Sequence, residues 1–274
     1  MVEKIRWAPV EGDSAEILAK YNQPLSSLAK GDVPAFVMRQ AFNSDDCAGL
    51  VQRFYERGLI YDPRKTGESV SRIDIGTSLG RHRNDLPKFF EHARKTLKLY
   101  ETLFVGFDDP VAFMHKTLAD LAPDKRVVVA RESDGSLYGL AIFRTYYEGV
   151  GHTPHFDSVR KRTKLLDLEV SRFEKQFAAI LCFQNSFQDA ESGQALLYNC
   201  QWTEELSDEL PRFREYANSQ DVESVRIDLN PGDFYIFCSE TIHEVPPPKG
   251  DQPRIVLASF FAMSDTDEEI YVWA

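Results

Sequence analysis

The sequence has no stretch approaching the roughly twenty consecutive apolar residues that a membrane-spanning helix needs, and its start, Met1-Val2-Glu3-Lys4-Ile5-Arg6-Trp7, lacks the apolar centre of a secretion signal. A cytoplasmic protein with no membrane partner is the expectation. Cysteine is scarce: Cys47, Cys182, Cys200 and Cys238 form no CxxC pair, and buried free thiols in a reducing cytosol are their simplest account. Positive charge is outnumbered as well. With 32 Lys and Arg against 43 Asp and Glu, the net charge of −11 repels phosphate backbones, so nucleic acid is not an expected partner. Internal repeats and low-complexity segments are missing, and the proline-rich spots are too short to link independent units. The 274 residues therefore suggest a single domain over 1–274, with a helical lead-in over 1–125, a β core over about 126–274, and nothing that opposes a homodimer.

What is present divides into helices first and strands after. Residues 34–42 form an apolar run of strand length, followed by Asn43-Ser44-Asp45-Asp46, whose side chains can cap a helix carrying Leu50, Val51 and Phe54. Over residues 86–104, Phe89, Phe90, Ala93, Leu97 and Tyr100 recur at helical spacing, and residues 111–121 repeat the pattern. Both helices are expected on the outside of a sheet. After Asp124 the texture changes to short apolar runs, at 126–130, 137–147, 177–183, 195–198, 225–229, 234–237 and 254–262. Such a series predicts a mainly β sandwich or barrel with flanking helices. Asn230-Pro231-Gly232-Asp233 predicts a hairpin-like turn, because Pro fixes one dihedral angle and Gly supplies a positive one.

His155-Phe156-Asp157 places an imidazole and a carboxylate on the same face of an extended chain, where both can reach one ion. His243 follows 88 residues after His155, just beyond the apolar run at 234–237. Two imidazoles and one carboxylate with open positions opposite them make the ligand set of non-haem iron oxygenases. A His-x-Asp triplet by itself is equally a surface histidine beside a solvated aspartate, and a lone histidine is more often a hydrogen-bonded core residue. Arg254 shifts the balance. It lies eleven residues after His243 at the head of an apolar run, where a guanidinium is costly to bury unless it meets an anion, and its planar fork suits a dicarboxylic acid.

In these features the chain resembles the Fe(II)/2-oxoglutarate-dependent dioxygenase superfamily. Arg144-Thr145-Tyr146-Tyr147-Glu148-Gly149 is similar to the Tyr-x-x-Gly lead-in to the first iron ligands, Ser192-Gly193-Gln194-Ala195-Leu196-Leu197-Tyr198 to the Gly-Gly-x-Leu strand, and Pro231-Gly232-Asp233-Phe234-Tyr235-Ile236-Phe237 to the strand that delivers the distal histidine. The resemblance implies a double-stranded β-helix of the jelly-roll, cupin-like type. It also implies Fe(II) held by His155, Asp157 and His243, with O2 as oxidant and 2-oxoglutarate as co-substrate on Arg254, Tyr146 and Ser259. Ser259 lies five residues after Arg254, whereas many members carry a serine or threonine two residues after the arginine.

The C-terminal half looks closest to the branch of carrier-independent halogenases and their sister hydroxylases, such as the N-succinyl-amino-acid hydroxylase. In the halogenases a small residue replaces the carboxylate and frees a position for chloride. Asp157 fills that position here, which implies hydroxylation of an unactivated C–H bond. Arg81-His82-Arg83 and Arg160-Lys161-Arg162 are basic clusters in an acidic chain; they are either solvated loop charge or, through Arg83, Arg81 and Arg162, a site for the carboxylates of an N-succinyl amino acid. Phe261 is a further candidate to face the small-molecule substrate, although aromatic residues in such a strand are more often core. A free amino acid, an alkaloid or a nucleoside-like metabolite remains open as substrate, and a non-catalytic cupin-like binding module is the reading from another class. His152 is expected beside the metal ligands rather than among them, and His82, His92 and His115 as structural or solvated.

Overall fold

Two sheets and a layer of helices make up the computed structural model, which describes residues 6–67, 72–186, 193–264 and 266–274. Met1 to Ile5 and Ser192, both used in reading the sequence, lie outside the described residues. The described strands are β1 (Val10–Glu11), β2 (Phe36–Met38), β3 (Ile73–Ile75), β4 (Arg126–Val129), β5 (Ile142–Tyr146), β6 (His152–His155), β7 (Phe177–Gln184), β8 (Ala195–Gln201), β9 (Ser224–Ile227), β10 (Phe234–Cys238), β11 (Thr241–Val245), β12 (Arg254–Ala262) and β13 (Glu269–Trp273). The α-helices are α1 (Ser14–Lys20), α2 (Pro24–Lys30), α3 (Ser44–Glu56), α4 (Pro63–Thr66), α5 (Leu86–Leu103), α6 (Pro110–Leu121) and α7 (Phe213–Ser219).

The large sheet runs β1-β2-β10-β7-β12-β13-β4, with β5 paired to β12 and β3 to β5; the small sheet runs β6-β11-β8-β9. Alternation along β10 shows how the sheets share the apolar residues. Phe234, Ile236 and Cys238 face the helices, whereas Tyr235 and Phe237 face the small sheet. On the helix side, Leu50 and Phe54 of α3, Tyr100 and Leu103 of α5, and Met114 and Leu118 of α6 close over Phe143, Leu181, Ile255 and Leu257. On the other side, Ala178, Cys182 and Tyr235 pack against Ala195, Leu197, Ile227 and Val245.

The expectation of a mainly β jelly roll is corrected by this architecture. Helical and strand residues are similar in number, and the two sheets stay open instead of curling into a closed barrel, so the protein is mixed α/β with a double-stranded-β-helix-like core. A sheet closes on itself when it has no other way to cover an apolar face. Here α3, α5 and α6 cover one face of the large sheet, and β1, β2 and β3 from the first part of the chain extend it.

The local signals that start these helices are visible in the capping contacts. Asn43 Oδ1 accepts the Asp45 amide at 2.8 Å, and Asp109 Oδ1 accepts the Val111 amide at 2.8 Å with Pro110 at the first helical position. The turn at 230–233 forms with Gly232 at φ 90° and the Asp233 amide donating to the Asn230 carbonyl at 3.0 Å. It joins β9 of the small sheet to β10 of the large one, so it links the sheets and closes no hairpin. The four cysteines are free, and no helix among the described residues is long and apolar enough to cross a membrane.

Candidate metal centre

His155 ends β6 and sits directly opposite His243 in the β6–β11 pairing, so the sheet register alone brings the two imidazoles together. Two residues further on, Asp157 is fixed through its backbone: its amide donates to the Ser239 carbonyl at 2.8 Å, and Ser239 Oγ donates to the Asp157 carbonyl at 2.9 Å. One potential ligand atom from each of the three residues falls within 4.8 Å of the others. Asp157 Oδ2 lies 3.7 Å from His155 Nε2 and 3.8 Å from His243 Nε2. Those separations are too long for hydrogen bonds and suit two atoms bound to one ion at about 2.1 Å each.

The imidazoles are prepared as ligands by their outer nitrogens. His155 Nδ1 donates to the Thr153 carbonyl at 2.7 Å and His243 Nδ1 to the Thr241 carbonyl at 2.8 Å, which leaves both Nε2 lone pairs turned inward. Burial pushes His155 down and His243 down to about 3, so both are neutral at physiological pH. Burial works against the Asp157 carboxylate, but His155, His243, Arg162 and Arg144 outweigh it and hold the group well below the usual carboxylate range. Two neutral imidazoles and an ionised carboxylate form a donor set that fits divalent iron.

An inner pocket opens beside these groups, lined by Tyr146, Tyr235, Val256 and Arg254 among others. Arg254 opens β12 opposite Tyr146, is 3% exposed, and has a buried Nε without a hydrogen-bond partner among the described residues. Gly193, at φ 72°, lies against it; a Cβ there would sit 3.2 Å from Arg254 Cδ. A buried guanidinium with one unpaired donor beside a metal-ligand set has the chemistry to meet an anion. Tyr146 lines the same pocket, its hydroxyl 3.2 Å from His152 Nε2. The Ser259 hydroxyl is ringed by the carbonyls of Leu140, Phe260 and Trp273 at 3.0 to 3.3 Å, so its proton is engaged by backbone.

The outer chamber holds the basic residues, and each has a different situation. Arg81 pairs with Asp74 at 3.0 Å, Arg162 pairs with Asp157 Oδ1 at 2.7 Å, and Arg83 is exposed at the rim. Phe261 faces the opposite way, fully buried on the helix side and stacked on Phe177 at 5.1 Å. Its neighbour Phe260 lines both pocket and chamber instead. Counting by twos from Arg254 along β12 reaches 256, 258 and 260, so strand alternation could have selected Phe260 over Phe261. Arg72 and Arg144 were also missed as chamber residues. Arg144 stands two residues before Tyr146 and therefore on its face, a signal present in the sequence; nothing local marks Arg72.

The two histidines and the aspartate define a non-haem oxygenase that uses iron(II) and 2-oxoglutarate, with the carboxylate-containing triad of hydroxylases rather than halogenases. The chain belongs to the family described as carrier-protein-independent halogenase WelO5, which matches residues 10–274. No curated protein sequence matches it. Among solved structures it is similar to a novel N-substituted L-amino acid dioxygenase from Burkholderia ambifaria, at 15% identity and TM-score 0.61 over 95% of this chain and 91% of that one. A complex of the Burkholderia ambifaria dioxygenase with alpha-KG gives 14% identity and TM-score 0.57 over 91% and 90% of the respective chains. At these identities the likeness speaks to the fold.

Proposed function

We propose that this protein hydroxylates an unactivated C–H bond in a small, acid-bearing amino-acid derivative, best represented by an N-acyl L-amino acid such as an N-succinyl amino acid. The observation that carries the reading is the chamber above the metal ligands, lined by Arg72, Arg81, Arg83, Arg144 and Arg162, in which Asp157 is the sole carboxylate side chain among the described residues. Arg72 and Arg81 share Asp74 and Arg162 is held by Asp157, which leaves Arg83 and Arg144 outside those pairs, and a protein with a net charge of −11 that keeps such a surplus of arginine around one opening favours anions there. The Burkholderia ambifaria protein is named for N-substituted L-amino acids, and that class supplies the carboxylates such a chamber would hold.

Bound iron would supply the coupling of 2-oxoglutarate decarboxylation, which releases succinate, to oxidation of the substrate carbon. His155, His243 and Asp157 would hold the ion, and Arg254 would pair with the far carboxylate of the co-substrate beside Tyr146. Ile142, Ala178, Ile180 and Val256 give the pocket apolar walls that exclude water from the reacting carbon. We read residues 1–274 as one domain, since the main core draws on Leu50 and Met114 as well as Leu257 and Val272. Four free thiols suit a reducing cytoplasm.

Succinate release from 2-oxoglutarate by the reduced, Fe(II)-loaded protein tests the reading. N-succinyl-L-leucine should stimulate it more than free leucine or lysine, and added halide should give no halogenated product. Equal or better rates with the free amino acids would remove the substrate class. No iron-dependent succinate with any of them would remove the reaction and favour a cupin-like binding module.

A further inference from the structure

We propose that Arg144 is a specificity-determining residue that receives a carboxylate of the primary substrate, separate from the arginine that serves 2-oxoglutarate. The proposal rests on the hydroxylase reading above. Its basis is a count of partners around the chamber. Asp74 stands directly opposite Arg144 across the β3–β5 pair and is the natural counter-ion for it. Asp74 is instead engaged by two other arginines, Oδ1 by Arg72 Nε at 2.7 Å and Oδ2 by a second Arg72 nitrogen at 2.9 Å and by Arg81 Nε at 3.0 Å, so its single charge is already shared between them. Arg162 is held by Asp157. Among the described residues, Arg144 is left with a buried Nε that has no hydrogen-bond partner, with the face of the Phe260 ring at 5.8 Å, and with a through-space attraction to the Asp157 carboxylate that Arg162 already holds by a direct bond.

Position separates its role from that of Arg254. Arg144 lies opposite Val256, and Arg254 opposite Tyr146, so the two arginines are diagonal neighbours on one face of the β5–β12 pair, about 7–8 Å apart at the backbone. Arg254 lines the inner pocket alone, whereas Arg144 lines both the inner pocket and the outer chamber. A co-substrate reaching from the metal ligands to Arg254 occupies the inner side. The guanidinium at the junction then faces whatever enters from the chamber, next to Phe260, whose ring supplies an apolar wall. A carboxylate docked there fixes the distance between the acid group and the carbon presented to the metal, which is how one side chain can set the site of hydroxylation.

The test is a binding cycle on the full chain loaded with Mn(II), which is redox-silent here, and 2-oxoglutarate. The ligands are N-succinyl-L-leucine and its two mono-amides. The wild type should bind one mono-amide roughly 30- to 100-fold more weakly than the diacid, the range for losing a charge-assisted hydrogen bond. Arg144→Gln should weaken diacid binding by a similar factor, add little further loss for that same mono-amide, and leave 2-oxoglutarate affinity within about threefold. Arg144→Lys should recover part of the loss. Equal penalties on diacid and both mono-amides, a parallel loss of 2-oxoglutarate binding, or no wild-type binding of any of the three would overturn the proposal. Should Arg144→Gln not fold, wild-type affinities that fail to distinguish the diacid from its mono-amides overturn it alone. Failure of the hydroxylase reading is seen separately, as absence of iron-dependent succinate release by the wild type.

Discussion

Replacing Arg254 by methionine should move two measurable quantities in opposite senses. In the ligand-free protein Arg254 is 3% exposed and its Nε has no partner among the described residues, an arrangement that costs about 1–3 kcal/mol for the unsatisfied donor. Methionine fills similar space without that donor, so the ligand-free variant should be as stable as the parent or more so, by about 1 kcal/mol, which is a rise of roughly 2 °C in Tm for a chain of this size. Binding should change the other way. Losing a buried partner for a carboxylate costs about 3 kcal/mol, or roughly 150-fold in the dissociation constant of 2-oxoglutarate. Thermal unfolding of the metal-free protein and anaerobic titration of the Fe(II)-loaded protein with 2-oxoglutarate measure the two effects. An arginine serving only the fold would give the reverse: a Tm several degrees lower with co-substrate affinity unchanged. That pair of results would refute the reasoning about the pocket.

Three further outcomes follow from the same geometry. Asp157→Ala should weaken Fe(II) binding by at least about 100-fold, because it removes one of three ligands while His155 and His243 keep their backbone hydrogen bonds; a metal titration that matches the parent would contradict the ligand assignment. Phe261→Ala should destabilise the protein by about 3–5 kcal/mol with little change in substrate KM among the molecules that still fold, whereas Phe260→Ala should raise KM; denaturant unfolding and steady-state kinetics separate the two. Burial pushes both His152 and His243 down to about 3 from an ordinary value near 6.5, so the unfolded chain takes up protons first as pH falls. Stability of the metal-free protein is therefore intact above pH 6.5 and lost on the way to pH 3, by about 1.4 kcal/mol per unit for each histidine and roughly 4 kcal/mol in all at pH 5. Melting curves that do not shift between pH 7.5 and 5 would show that these imidazoles are not buried neutral.

Much of the site could be read in the sequence because its geometry is local. Residues 155 and 157 share a face by strand period alone, and Arg254 announces itself as a charge heading an apolar run. Partner choice is not local. Arg81 and Arg162 read as free cations in sequence, yet each finds a carboxylate, one at Asp74 and one at the metal ligand Asp157. Arg72 is invisible until β3 is seen to pair with β5, which draws residues 73–75 to the chamber wall. The fold shows the same division. Helical periodicity placed α5 and α6, and the capping side chain of Asn43 placed the start of α3. Whether the sheets close depends on what covers their faces, and that is decided by packing between segments more than a hundred residues apart, such as Cys47 of α3 against Cys182 of β7.

The division of parts between the sheets has a consequence for how the site assembles. His155 and His243 belong to the small sheet, on paired strands β6 and β11, while Arg144, Tyr146 and Arg254 belong to the large sheet, on paired strands β5 and β12. A metal bound on one side and 2-oxoglutarate reaching Arg254 on the other would therefore bridge the two sheets. The large sheet is backed by helices across its far face, and the small sheet is not part of that core. Ligand binding should thus tighten the small sheet most. Amide exchange in β6 and β11 should slow on addition of Mn(II) and 2-oxoglutarate together, while β7 and β10, already buried between the helices and the small sheet, should change little.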